Sequence, residues 1–280
     1  MSQSRMVVVV PAGPKDCAAD VLRSALCYTD AELILVIDDT RGAGIGLEDP
    51  RIVVLTPPAS PPNTLGGLWV KLAAAYRYAA EHADFDVLLR LDTDALVLGP
   101  GVAEAAAERF ADDPALGTLG AYRVGPDGRI RDWAPAVRKI RAQVGLRGLR
   151  HPATRRRVRA LIDQAPEYVM GEHALGGANV FRGDMVREWH RRGMLDCPEL
   201  GYTAICEDHL FGLLTVAAGY RTGDFSGPDD PFALRWVGLP AAPADLLAAG
   251  KLVTHSVRSW EAMQEDEIRA FFAAHRPAVS

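Results

Sequence analysis

Short, uninterrupted apolar runs recur along the first third of the chain: Met6 to Val10, Leu33 to Ile37, Ile52 to Leu55 and Val87 to Leu91. None of them alternates apolar with polar residues. Each therefore reads as a strand covered on both faces, the condition of a parallel sheet with helices packed on either side. The intervening segments agree with this. Asp16 to Tyr28 sets Val21, Leu22, Ala25 and Leu26 on one side of a helix, and about Leu68 to His82 reads as another. The expectation is an α/β protein with a mostly parallel central sheet flanked by helices. In such sheets ligands lie outside the carboxyl ends of strands. Asp38 and Asp39 end the second strand and Asp92 and Asp94 end the fourth, so acidic pairs are expected along the edge where a ligand would sit.

A chain of 280 residues, 49% of them hydrophobic, suffices for one large domain or two small ones. The reading places a first half at residues 1–125 and a second at 126–280, built on the same sheet. Met6 to Val10 stops at Pro11 and meets Lys15 and Asp16 too early for a secretory leader. No run approaches the roughly 18 apolar residues of a membrane helix. Cys17, Cys27, Cys197 and Cys206 show no metal-binding or redox spacing. They read as small buried residues in a reducing, cytoplasmic setting.

The net charge of −5 hides an asymmetry: residues 131–159 carry ten Lys and Arg against one acid, Asp132. This stretch, with Gly145, Gly148 and Pro152 interrupting it, reads as a helical basic insert spanning about 131–165. It suits an anionic acceptor or a peripheral membrane contact, or it is a solvated helix face. Nucleic acid is not expected as a partner, because the whole chain is acidic and only Trp133 interleaves with these arginines.

Two carboxylates one residue apart at the end of a buried strand repel each other unless something neutralises them. A divalent cation with a diphosphate does so, since both Mn²⁺ and Mg²⁺ accept hard oxygen ligands. Side chains at i and i+2 face the same way on a strand, so Asp92 and Asp94 are expected to point together. The ordinary alternative is a polar turn, where Asp is commonplace.

With these motifs in view, the sequence resembles the GT-A fold glycosyltransferases, and among them glycosyltransferase family 2. "VVVVPAGPKDCAADVLRSALCY" followed by "ELILVIDD" is similar to that family's opening strand, helix and base-binding Asp. "LGGLWVKLAAAYRYAAEHADFDVLLRLDTDALV" resembles its helix leading into the metal-binding DxD. "ALGGANVFRGDMVREW" resembles the acceptor-side strand and helix, and "CEDHLFGLLTVAAGYR" the segment that houses the catalytic base. The chain departs from the pattern at "PAGPKD", at "IDDT" and in the basic insert.

The resemblance implies a Rossmann-like GT-A sheet and metal-dependent transfer of a hexosyl or pentosyl group. The sugar would pass from a UDP-, GDP- or dTDP-linked donor to a hydroxyl acceptor, with inversion or, alternatively, retention. Asp39, with Asp38, would bind the nucleobase, and Pro11, Lys71 and Thr93 would border the nucleotide. Asp92 would meet the ribose or the metal shell, and Asp94 and His255 would ligate the cation. Asp208 would be the general base with Glu207 supporting it. Gly176, Gly177 and Asn179 would give close backbone approach to sugar or acceptor, and Trp236 would stack on a sugar face.

Each assignment has a plainer counterpart. Glu207 and Asp208 open an amphipathic helix, where acids are favoured by roughly 0.3 to 1 kcal/mol each whatever the function. Gly176 and Gly177 suit a bulge or tight packing, and His255 suits a strand end. His173 and His209 read as core or surface residues, and Trp69, Trp133, Trp189 and Trp260 as core. Two rival functions also remain: a haloacid-dehalogenase-like phosphatase with Asp92 as nucleophile, and a catalytically silent nucleotide- or sugar-binding protein.

Overall fold

The computed structural model describes residues 4–13, 16–38, 45–57, 59 and 65–277. The apolar runs form the strands expected of them: β1 (Met6–Ala12), β2 (Leu33–Asp38), β3 (Ile52–Leu55) and β4 (Val87–Leu91). Between and after them come α1 (Ala18–Tyr28), α2 (Gly66–His82), β5 (Ala95–Val97), α3 (Val102–Asp112) and β6 (Leu116–Gly120). The basic stretch supplies α4 (Ala134–Val144) and α5 (Pro152–Asp163), joined by a short 3-10 turn at Leu146–Arg150. Next follow β7 (Ala178–Arg182), α6 (Gly183–Arg191), α7 (Glu207–Ala217), β8 (Arg221–Asp224) and β9 (Phe232–Leu234). The chain closes with α8 (Pro243–Ala248), β10 (Val253–His255), β11 (Ser259–Trp260), β12 (Met263–Gln264) and α9 (Glu265–Ala274).

Seven strands make the central sheet in the order β3-β2-β1-β4-β7-β6-β8, and all of them run parallel except β7. The α/β expectation thus holds, including the helical insert. Both faces are covered, which is why the strands carry no alternation. Val8, Val10, Leu89 and Val180 pack into the core on the α1 and α3 side. Val7, Val9, Leu88 and Phe181 meet Trp69, Tyr76, Trp189 and Phe211 on the other side. The insert joins that second core through Ile140, Val158 and Leu161.

β1 has β2 on one side and β4 on the other, so the direction of winding reverses there. A crevice opens at such a point, beyond the carboxyl ends of the two strands. The residues at its mouth are Pro11 to Gly13 and Asp92.

Asp92 and Asp94 do not lie on the strand that precedes them, as the strand-period expectation had it: β4 stops at Leu91, residues 92–94 turn, and the amide of Ala95 donates to the carbonyl of Asp92 at 2.9 Å. β5 then leaves the main sheet for a three-stranded one, ordered β5-β10-β9. Asp92 and Asp94 are therefore brought together by a tight turn and not by the period of a strand.

The four cysteines are unpaired, but only Cys197 is buried, and Cys17 is exposed. Among the described residues no helix is long and apolar enough to cross a membrane.

Candidate metal and transfer site

Strand register assembles the site. β10 runs antiparallel to β5 with His255 opposite Ala95, one residue beyond Asp94. The same strand runs parallel to β9 with His255 level with Leu234. The Nδ1–H of His255 accordingly donates to the Arg235 carbonyl at 2.8 Å. A carbonyl can only accept, so this bond keeps a proton on Nδ1 and turns Nε2 toward Asp94, where it donates when the ring is protonated and offers a lone pair when it is neutral. That nitrogen lies 3.3 Å from Oδ1 of Asp94.

Asp94 is 8% exposed. Its Oδ2 accepts from the Ser256 hydroxyl at 2.8 Å and from Nε of Arg258 at 2.7 Å. Burial pushes its pKa upward, but hydrogen bonds from His255, Arg258 and Ser256 outweigh that and hold it well below the usual carboxylate range. Behind the turn, the buried Arg269 of α9 donates to the Thr93 carbonyl at 2.9 Å and pairs with Asp20 and Glu265.

Asp92 receives Nε and Nη2 of Arg90 on Oδ1, at 3.2 and 2.9 Å. Arg90, 1% exposed and one residue from the end of β4, also gives Nη2 to Oε1 of Glu207 at 2.9 Å. One buried guanidinium nitrogen therefore joins the acidic turn to the first turn of α7.

The atoms left to a cation are Oδ2 of Asp92, Oδ1 of Asp94 and Nε2 of His255. These three residues each offer a ligand atom within 4.8 Å of the others. Adjacent ligands of an ion at about 2.1 Å lie about 3 Å apart, so the 3.3 Å between Asp94 and His255 fits. An imidazole among the donors suits Mn²⁺ better than Mg²⁺.

Asp208 stands beside Glu207 in the first turn of α7. Its Oδ1 accepts the His209 amide at 2.8 Å, and its Oδ2 lies 3.4 Å from the Gly176 amide and 3.5 Å from Nε2 of His173. His173, Asp208 and His209 also bring ligand-type atoms within 4.8 Å. Both ring nitrogens of His173 are engaged, however: Nδ1 by the Gly171 carbonyl at 2.7 Å and Nε2 by the Arg131 guanidinium at 3.1 Å. Among the described residues, that leaves the Asp92, Asp94 and His255 set as the one open to a metal.

Burial raises the Asp208 carboxyl, but His173 and His209, which charge in acid, together with Arg90 and the His209 amide overcome this and hold it below its ordinary value. Glu207 moves the other way: burial and the neighbouring carboxylates push it up against the pull of Arg90. Burial lowers His173 to about 4 and lowers His209 too. At neutral pH the two imidazoles are uncharged, and the Asp208 anion rests on Arg90, backbone amides and the N-terminus of α7.

The remaining expected residues fall as follows. Gly177, at φ +102°, accepts the Asp92 amide on its carbonyl at 2.7 Å. Asn179 is buried in β7 and gives its amide to the Leu175 carbonyl at 2.9 Å. Trp236 is 79% exposed, one residue past the carbonyl that holds His255, whereas Trp69 and Trp189 are core. Pro11 is buried at the end of β1 and Lys71 is half-buried on α2. Asp39 and the side chain of Asp38 lie outside the described residues.

Sequence reasoning missed Arg90, Arg258, Ser256, Arg269 and the histidines flanking Asp208. A signal existed for one of them: Arg90 is the lone charge in "VLLRL", and a charge inside a doubly covered strand demands a buried partner.

No protein-family model matches the chain, and no curated protein matches it. Solved structures similar to it include the galactosyltransferase LgtC in complex with donor and acceptor sugar analogs, 12% identical with a TM-score of 0.48, over 98% of this chain and 97% of that one. An active-site mutant of LgtC is 13% identical with a TM-score of 0.49 over the same shares. The bifunctional glycosyltransferase WbbM, in its apo structure, is 11% identical with a TM-score of 0.44, over 99% of this chain and 50% of that one.

Proposed function

We propose that this protein is a metal-dependent GT-A glycosyltransferase that moves a hexosyl or pentosyl group from a UDP-, GDP- or dTDP-linked sugar to an acceptor hydroxyl, with inversion. The order of its motifs favours family 2. The observation that carries the reading is the acidic turn at the reversal point of the sheet, where Asp92, Asp94 and a tautomer-fixed His255 converge and Arg90 ties them to the Glu207–Asp208 pair.

In this reading residues 1–125 bind the nucleotide, through Pro11, Asp38, Asp39, Lys71 and Thr93, and residues 126–280 bind the acceptor. Asp92, Asp94 and His255 hold Mn²⁺ or Mg²⁺. The chemistry that such an ion supplies when bound is neutralisation of the charge developing on the departing nucleoside diphosphate. Asp208 accepts the proton of the attacking hydroxyl, and Glu207 keeps Arg90 in place between the two carboxylate groups. Gly176 lets the acceptor approach the backbone beside Asp208. Trp236 offers an exposed face for a sugar ring. The absence of a pairing demand on the cysteines is compatible with a reducing compartment such as the cytoplasm.

A thermal-shift panel of UDP, GDP, dTDP and CDP, each with and without Mn²⁺, tests this. One diphosphate should raise the melting temperature only with the metal, because ligands that bind the folded state stabilise it by mass action. No metal-dependent shift with any of the four would refute the reading. A shift without turnover of the matching nucleotide sugars would identify a silent binding protein instead.

A further inference from the structure

Arg5, Arg77, Arg90, Arg187, Arg221 and Arg276 each meet a carboxylate. In the basic insert the side chains of Arg138, Arg147 and Arg150 make no hydrogen bond or ion pair with any described residue, and all three line a cavity of about 1200 Å³ together with Lys139. No carboxylate lines it among the described residues. Arg155 and Arg157, also in the insert, are engaged. Nε of Arg155 is bound to the Val144 carbonyl at 2.9 Å, and Nε of Arg157 lies 3.0 Å from the sulfur of Cys197. Those two fasten α5 to its neighbours.

The cavity is also apolar in part. Leu146 is 84% exposed on its wall and Tyr202 is 48% exposed. Its lining includes Thr203 and Ala204, which are held by the buried Gln143 and stand just ahead of Glu207 and Asp208 in the chain. Lys139, also in the lining, has Nζ 3.5 Å from the sulfur of Cys206 at the start of α7.

We propose that this cavity binds the phosphate group of an amphiphilic acceptor, with Arg138, Arg147 and Arg150 on the phosphate and Leu146 and Tyr202 against its apolar portion. Unpaired guanidinium groups around a space without acids match a phosphate, which accepts bidentate hydrogen bonds from arginine. Lys139, Thr203 and Ala204 lie beside the start of α7, so an acceptor held here would have its hydroxyl within reach of Asp208. The word "acceptor" rests on the transferase reading, whereas the binding itself does not.

The full-length chain in EDTA, where cation-dependent binding at the acidic turn is silent, is titrated calorimetrically with octyl phosphate and with the neutral octyl glucoside. Octyl phosphate should bind at least about tenfold more tightly, as one charge-assisted hydrogen-bonding group implies. R147A/R150A should weaken it about tenfold or more at an unchanged melting temperature, since both side chains are exposed and unpaired. Asp94→Asn should leave it unaltered. Equal affinity in R147A/R150A and wild type, or loss of binding in Asp94→Asn, overturns the proposal.

Cosedimentation with phosphatidic acid vesicles, against phosphatidylcholine vesicles, identifies the source. Vesicle binding abolished in R147A/R150A assigns a lipid headgroup; octyl phosphate binding without vesicle binding assigns a soluble phosphate-bearing acceptor. Phosphate binding that persists while no nucleotide sugar is turned over counts against the transferase reading and not against the cavity.

Discussion

Gly177 lies directly beneath the imidazole of His255: a β-carbon at that glycine would come within 2.6 Å of the ring's Cγ and Nδ1. Its φ of +102° is a second reason for glycine, because an L side chain rarely adopts that conformation. The contact links the residue just ahead of β7 to the candidate metal ligand. Gly177→Ala should displace His255 and strain the backbone by about 1 to 3 kcal/mol. A lowered melting temperature together with weakened Mn²⁺ binding, read by calorimetry, would verify this.

Arg90 neutralises two carboxylates at once, so its removal should be felt throughout the fold. Arg90→Met leaves Asp92 and Glu207 facing each other in a poorly hydrated space, at a cost on the order of 3 to 5 kcal/mol. Denaturant unfolding measures it. Adding Glu207→Gln to the Arg90→Met variant should recover part of the loss, since one uncompensated charge then disappears.

Asp94→Asn removes a charged ligand atom but keeps the shape of the turn. Metal-dependent stabilisation by the matching nucleoside diphosphate should vanish in the thermal-shift panel. In wild type it should reach about 2.7 kcal/mol at a hundredfold excess over the dissociation constant.

Asp208→Asn separates capping from catalysis. If the carboxylate takes the acceptor proton, turnover should fall by roughly 10²- to 10⁴-fold, with donor binding little changed. A pair serving only as a helix cap would leave turnover intact. Because Asp208 is held below its ordinary value, the acid limb of the wild-type rate profile should lie below the usual carboxylate range.

His173 governs a stability effect in a different pH window. Its folded pKa is depressed from 6.5 to about 4, so between those values the unfolded chain binds the extra proton. Stability should therefore be lost as pH falls from 6.5 to 4, by on the order of 3 kcal/mol. His173→Asn, which can still donate to the Gly171 carbonyl, should flatten the melting-temperature profile across that window.

The strands β1 to β4 and helices α1 and α2 were legible because each is a local pattern. An unbroken Val, Ile and Leu run and a 3.6-residue period report burial without reference to anything distant. Asp92, Asp94, Glu207, Asp208 and His255 were legible as candidates for the same reason, since each stands at the end of such a pattern. The roles of Arg90, Arg258 and the two histidines beside Asp208 were not, because a charged or imidazole residue has no local signature that names its partner.

What the sequence alone determined, then, is a mostly parallel sheet sheathed in helices, with acids at the mouths of its strands. Only the tertiary structure decided which acids meet which bases. Ser256 and Asp94 bond across 162 residues, and Arg90 and Glu207 across 117. Those pairings follow from the β5–β10 register and from the reversal of winding at β1, where backbone hydrogen bonding brings distant segments into one crevice. Side chains that would each be solvated on an isolated strand or helix must there be neutralised by one another, or by a bound ion and ligand.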